Sequence, residues 1–122
     1  MNQLETIAGR AALVCSPDGP PLATGRDASD LIGDALSLGA ELVVIPTARL
    51  SPDFLRLSSG LAGEVLQKFV NYRLMPIILG DVSAAAAASN PLGDFVRESN
   101  RGRSVWFVAD RADLEERLAA PI

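Results

Sequence analysis

Three short, unbroken apolar runs, Leu42 to Ile45, Ile77 to Leu79 and Val105 to Val108, alternate with stretches whose apolar residues recur at helical spacing. A strand that is apolar at consecutive positions presents hydrophobic side chains on both of its faces, so both faces need cover. The stretches between the runs supply it. Ala28, Leu31, Ile32, Ala35 and Leu36 form one stripe, Leu61, Val65, Leu66, Phe69 and Tyr72 a second, and Leu92, Phe95 and Val96 a third. Strands that alternate with helices pair in parallel through crossovers. Two further runs, Leu4 to Ile7 and Ala11 to Cys15, flank Gly9-Arg10 and read as a strand pair joined by a tight turn. With a last short helix carrying Leu114 and Leu118, the expected order is β-β-α-β-α-β-α-β-α. This is an α/β fold with a mostly parallel central sheet flanked by helices.

Local chemistry marks the boundaries. Ser16 to Pro21 (SPDGPP) is a loop. Thr24 and Asp27 form a capping pair for the first helix, and Gly39 is placed to end it. Ser51-Pro52-Asp53 starts a short helical turn, and Ser58 or Ser59 caps the second helix. Pro76 lacks an N–H and belongs at the beginning of its strand. Ala84 to Ala88 is a helical turn or loop, Asn90-Pro91 opens the third helix and Gly102 closes it. Asp110 and Asp113 cap the last one.

Composition narrows the function. At 122 residues the chain suits one domain, residues 1–122, and 48% hydrophobic residues are enough for a core without disulfides or a metal. The net charge of −4 offers no basic excess to bind nucleic acid or anionic membranes non-specifically. The longest apolar stretch, Leu74 to Leu79, is far short of the about 20 residues that cross a bilayer. No signal-peptide pattern stands at the start, and Cys15 is the single cysteine, so a cytoplasmic location is expected. Histidine is absent. That removes the Ser-His-Asp and Cys-His catalysts and most zinc sites. No catalytic residue, metal site or cofactor is assigned, and the chain reads as a binding or regulatory module more than an enzyme.

Each candidate site has a functional and a structural reading. Ser58 and Ser59 are phosphoacceptor candidates or plain caps. Gly60 and Gly63 either expose backbone N–H groups to an anion or let the helix approach the sheet closely. Asp81 and Asp110 each follow a strand, where open α/β sheets bind ligands, and each also suits a turn or cap. Arg97, Asn100, Arg101 and Arg103 cluster around the end of the third helix, suited to an anion or simply to the helix dipole, with Glu98 near enough to satisfy one arginine. Glu64, Lys68 and Asn71 share one face of the second helix, with Glu64 and Lys68 spaced as an i,i+4 ion pair. Cys15 reads as a small buried hydrophobe. Trp106 and Phe107, adjacent on a strand, point to opposite faces.

The strings Gly63-Glu64-Val65-Leu66-Gln67-Lys68-Phe69, Asn71-Tyr72-Arg73, Leu79-Gly80-Asp81 and Glu98-Ser99-Asn100-Arg101-Gly102 resemble the bacterial family known as domain of unknown function 4180 (DUF4180), from about Ala12 to Leu118. That resemblance implies membership and carries no activity. The element order is also similar to the STAS domain, the fold of bacterial anti-sigma-factor antagonists. There an Asp-Ser-Ser-Gly-Leu-Gly type motif opens a helix, and a partner kinase phosphorylates a serine or threonine in it. Ser58-Ser59-Gly60-Leu61-Ala62-Gly63 stands at the matching place, with Leu57 instead of the acidic residue and a longer link from Ile45. By position, Ser59 matches the phosphoacceptor.

These readings lead to a regulatory protein-interaction module whose partner is a protein, such as a kinase or an anti-sigma factor. The alternative is a small-molecule-binding protein or minor enzyme, with Asp81 and the third-helix arginines in a pocket at the carboxyl ends of the strands. Pairing with a second copy as a homodimer is also open.

Overall fold

The computed structural model describes residues 2–120. Its five strands are β1 (Gln3–Ile7), β2 (Arg10–Val14), β3 (Leu42–Pro46), β4 (Met75–Leu79) and β5 (Trp106–Val108), and they lie side by side in chain order. β1 and β2 form an antiparallel hairpin, and β2 to β5 are parallel throughout. The hairpin turn is Ala8-Gly9 and not Gly9-Arg10. Both residues have positive φ, 49° and 82°, the two-residue turn whose twist matches that of the strands.

The helices are α1 (Gly25–Leu38), α2 (Leu61–Asn71), α3 (Ser83–Ala88), α4 (Asn90–Arg101) and α5 (Arg111–Ala119). α4 is the third apolar stripe, and the alanine run is α3, a helix of its own. Crossovers of one hand between strands in sequential order put their helices on one face. Accordingly α1, α2 and α4 pack with Leu13, Val43, Ile45, Ile78 and Phe107 in one core. On the other face α5, through Leu114 and Leu118, joins Ala12, Leu42, Val44, Met75, Ile77, Trp106 and Val108 in the second. Phe107 meets Phe95 edge-on in the first core while its neighbour Trp106 is buried in the second. Both faces of β5 are covered.

The expected boundaries largely stand. Thr24 and Asp27 form a reciprocal capping box on α1, Gly39 ends it at φ 73°, and the Asp110 carboxylate accepts the Asp113 N–H at α5. Pro76 is the second residue of β4. Met75 N–H donates to the Glu41 carbonyl just ahead of β3 while Gly80 N–H donates to Val108 of β5, so by alternation the Pro76 nitrogen faces β5. The β4–β5 ladder begins one residue later, at Ile77 opposite Trp106, so no ladder bond is lost. Three expectations change. Ser51-Pro52-Asp53 forms turns, and the short 3-10 segments fall instead at Thr47–Arg49 and Leu57–Ser59. Gly60, at φ 80°, occupies the cap position of α2 in place of a serine. Leu36 and Tyr72, read as members of apolar stripes, are 49% and 57% exposed, the first in the last turn of α1 and the second at the carboxyl cap of α2.

Candidate functional site

The Ser58-Ser59-Gly60 segment is exposed, at the carboxyl end of the sheet, where a long connection leaves β3 and α2 begins. The Ser59 hydroxyl donates to the Asp53 carbonyl (2.7 Å) and accepts from the Leu61 N–H (3.2 Å), so it pins the loop to the first turn of the helix. Asp53, Ser59, Gly60, Leu61, Glu64 and Ala23 line an open cleft of about 410 Å³. Ser58 points elsewhere. It borders a second groove, also about 410 Å³, formed by Pro52, Leu55, Leu57, Ala85, Ala88 and Pro91. The two serines therefore face different surroundings, one acidic and one largely apolar.

Of the α2 polar face, only Glu64 joins this cleft. Lys68 reaches across to α1, where its ammonium donates to the Ser29 hydroxyl (3.2 Å), and no Glu64–Lys68 ion pair forms among the described residues. The first residue of α1, Gly25, explains the arrangement. A Cβ there would crowd Lys68 Cε at 3.1 Å and Glu64 Oε2 at 3.2 Å, so both side chains lie against α1. Asn71, at the far end of α2, accepts from the Gln67 amide (2.8 Å). The packing role considered for Gly60 and Gly63 does not hold. Both are exposed, and a Cβ on either would meet nothing within 4 Å.

Asp81 follows β4, and its carboxylate accepts the Ser83 N–H (2.8 Å). Hydrogen bonds from Ser83 hold its pKa below the ordinary 3.8. It shares a cleft of about 250 Å³ with Asp113, Phe107 and Ala86. Asp113 in turn accepts the Ala109 N–H (3.2 Å), so both carboxylates are already occupied with backbone. The expected pocket combining Asp81 with the α4 arginines is not formed. α4 runs back antiparallel to the strands, which returns Asn100 and Arg101 to the amino end of the sheet. Arg97 pairs with Asp94 one turn earlier and not with Glu98.

Asn100 has a structural task. Its side-chain oxygen accepts from Phe107 N–H (2.8 Å), and its carbonyl accepts from Arg117 (2.6 Å). β5 is an edge strand and Phe107 N–H points outward, so Asn100 satisfies a donor that would otherwise be open to another chain. Arg101 and Arg103 line a cleft with Arg117 and Trp106, and the guanidinium groups of Arg103 and Arg117 lie over the indole at 5.4 and 4.7 Å.

One residue escaped the sequence reading. Arg49, 5% exposed, is the buried charged side chain among the described residues. It donates to the carbonyls of Pro20 (2.6 Å) and Ser16 (3.0 Å), and it lies so close over Gly19 that a Cβ there would come within 2.4 Å of the guanidinium. It thereby holds the SPDGPP loop against the end of β3. Neighbouring Cys15 is buried, and that burial pushes its thiol up to about 11, so it is an unreactive core residue.

No helix among the described residues is long and apolar enough to cross a membrane. No curated protein and no solved structure matches the chain. The family described as domain of unknown function (DUF4180) matches residues 7–118, nearly the whole sequence, and the chain belongs to that family.

Proposed function

We propose that this protein is a bacterial, cytoplasmic regulatory module that binds a partner protein through the Ser58-Ser59-Gly60 junction and the first turns of α2, as an anti-sigma-factor antagonist does. The observation that carries the reading is the setting of Ser59. It is an exposed hydroxyl at a loop-to-helix junction, engaged in two hydrogen bonds, on a cleft it shares with Glu64 and with Asp53, whose carboxylate pairs with Arg56 (2.5 Å). The order of elements, with a hairpin leading into parallel βα units, supports the same reading.

The mechanism is a charge switch. A partner kinase transfers the γ-phosphoryl group of a nucleoside triphosphate to Ser59 Oγ. The bond to the β-phosphate oxygen breaks, the new Oγ–P bond forms and the hydroxyl proton leaves. The hydroxyl then no longer donates to the Asp53 carbonyl, and a charge of about −1.5 to −2 appears beside Glu64 and competes with the Asp53 carboxylate for Arg56. Repulsion opens the junction, and the docking surface changes in both shape and sign. The chain supplies no catalytic group for this step, since it is the kinase's substrate.

Affinity capture from the native cell with wild-type, Ser59→Ala and Ser59→Asp baits tests the proposal, together with mass spectrometry of the natively purified protein. A partner retained by the first two baits and reduced at least about tenfold on the third, with phosphate found on Ser59, is the expected result. Identical captures on all three baits would overturn it. The small-molecule reading has less support, because Asp81 and Asp113 are occupied as caps and the α4 arginines lie at the other end of the sheet.

A further inference from the structure

We propose that the amino end of the sheet carries an anion site, formed by Arg10, Arg73, Arg103 and Ser104, that takes the phosphate group of a small phosphorylated molecule. This site is separate from Ser59 and does not depend on the switch. The three arginines come from three distant parts of the chain. Arg10 opens β2, Arg73 lies between α2 and β4, and Arg103 lies between α4 and β5. They line one open cleft of about 290 Å³, together with Ser104, Glu41 and the apolar floor of Val70, Leu74 and Met75. Glu41 is the single acid on this lining and meets Arg10 at 3.4 Å, at the long end of a hydrogen bond. Neither Arg73 nor Arg103 takes part in an ion pair among the described residues. A lining that includes three arginines and one glutamate is cationic in a chain whose net charge is −4.

Arg73 supplies an independent observation. Its φ is 61°, the left-handed region that closes a helix and that glycine adopts most easily. The preceding crossover closes in the same way. Gly39 stands at φ 73°, and the following Ala40 N–H returns to the Ala35 carbonyl at 2.9 Å, just as Leu74 N–H returns to the Phe69 carbonyl at 3.0 Å. The two reversals share one geometry. One holds glycine, and the other holds an arginine against its backbone preference, with its side chain on the cationic cleft. A residue kept in an unfavourable conformation where its side chain is unpaired points to a task for that side chain.

Arginine forks and a serine hydroxyl suit the oxygens of a phosphate dianion, which would also compete with Glu41 for Arg10. The volume suits a small phosphorylated molecule better than a polymer, and the overall negative charge opposes a long polyanion.

Trp106, the one tryptophan, lies under Arg103 and makes the site readable by intrinsic fluorescence. The wild-type protein is titrated with inorganic phosphate and pyrophosphate against sodium chloride of equal ionic strength. A saturable change with phosphate, stronger with pyrophosphate and absent with chloride, is expected. Arg73→Gly separates binding from folding, because glycine fits the backbone better. It is expected to keep or raise the unfolding midpoint while weakening phosphate binding at least about tenfold. Phosphate affinity unchanged in Arg73→Gly, or a wild-type response no different from that to chloride, would overturn the site. Binding that strengthens with the length of an added oligonucleotide would overturn the choice of a small ligand.

Discussion

At the carboxyl end of the sheet most polar side chains serve the chain itself, whereas at the amino end arginines face outward without a carboxylate partner among the described residues. Around the carboxyl ends of the strands, Arg49 holds the carbonyls of Ser16 and Pro20, Asp27, Asp81, Asp110 and Asp113 take backbone N–H groups, and Ser59 joins Asp53 to Leu61. At the amino ends the connections are short, and Arg73 and Arg103 reach solvent without a carboxylate. Open α/β sheets conventionally bind ligands at the carboxyl end. Here most polar side chains at that end are committed, the buried Ser51 hydroxyl being the exception among the described residues, and the Ser59 cleft carries Glu64 and the Asp53–Arg56 pair, which suits a surface that a modification can perturb. Arg73 and Arg103, without a carboxylate partner among the described residues, lie at the opposite end. Topology indicates where a fold tends to bind, but spare hydrogen-bonding capacity indicates where this molecule can.

The largest test of this contrast is removal of one arginine from each end. Arg49→Ala leaves two carbonyls without their buried donor and opens a cavity, so it should cost about 2–4 kcal/mol of stability in urea unfolding. Arg103→Ala loses an exposed contact over Trp106 and should cost less than about 1 kcal/mol. Equal costs would mean that the amino-end arginine is structural too. Asn100→Ala should come next, at about 1–2 kcal/mol, because it orphans Phe107 N–H on the edge strand. Asn100→Asp keeps an acceptor and should recover most of that loss. Failure to recover would show that the Asn100 contact to Phe107 is not what matters there.

The difference between the ends also accounts for what the sequence could tell. Strands and helices were legible because each has its own period, and Thr24 with Asp27 is a local pair whose two partners lie three residues apart. The separation of Asp81 from Arg101 was legible in principle. One follows a strand and the other ends a helix running the opposite way, so they fall at opposite ends. Arg49 was not legible, since arginine is ordinarily exposed and its partners are carbonyls that any residue carries. The Arg10, Arg73 and Arg103 cleft is assembled from one strand and two connections far apart in the chain and leaves no local motif. Leu36 and Tyr72 fit the helical period and still lie outside the core, because period fixes a direction and not whether a neighbour covers the last turn of a helix.

The paired helix endings permit a smaller test. Gly39→Ala should cost about 1 kcal/mol, since alanine resists φ 73°, although nothing within 4 Å would obstruct its Cβ. Arg73→Gly should gain roughly 0.4–1 kcal/mol for the converse reason. Opposite signs at two equivalent reversals would establish that Arg73 is retained at the expense of stability. A loss in both would mean that the arginine side chain stabilises the fold directly.

The smallest expected effect is one of pH. The Asp27 carboxylate is held below its ordinary 3.8, first by the Ala23 N–H and then by the N–H and hydroxyl of Thr24, with Arg26 nearby. A carboxyl whose folded pKa is depressed contributes stability above its unfolded value, and that contribution is lost as pH falls through the folded value. Wild type should therefore exceed Asp27→Asn in stability by a constant margin from pH 7 to about pH 5, and the margin should shrink below 3.8 as both caps become neutral. Unfolding midpoints measured from pH 7 to pH 2 would show the two curves converging. Curves that stay parallel into acid would mean that Asp27 acts by shape alone, and that the carboxyl end owes less to ionised caps than its hydrogen bonds imply.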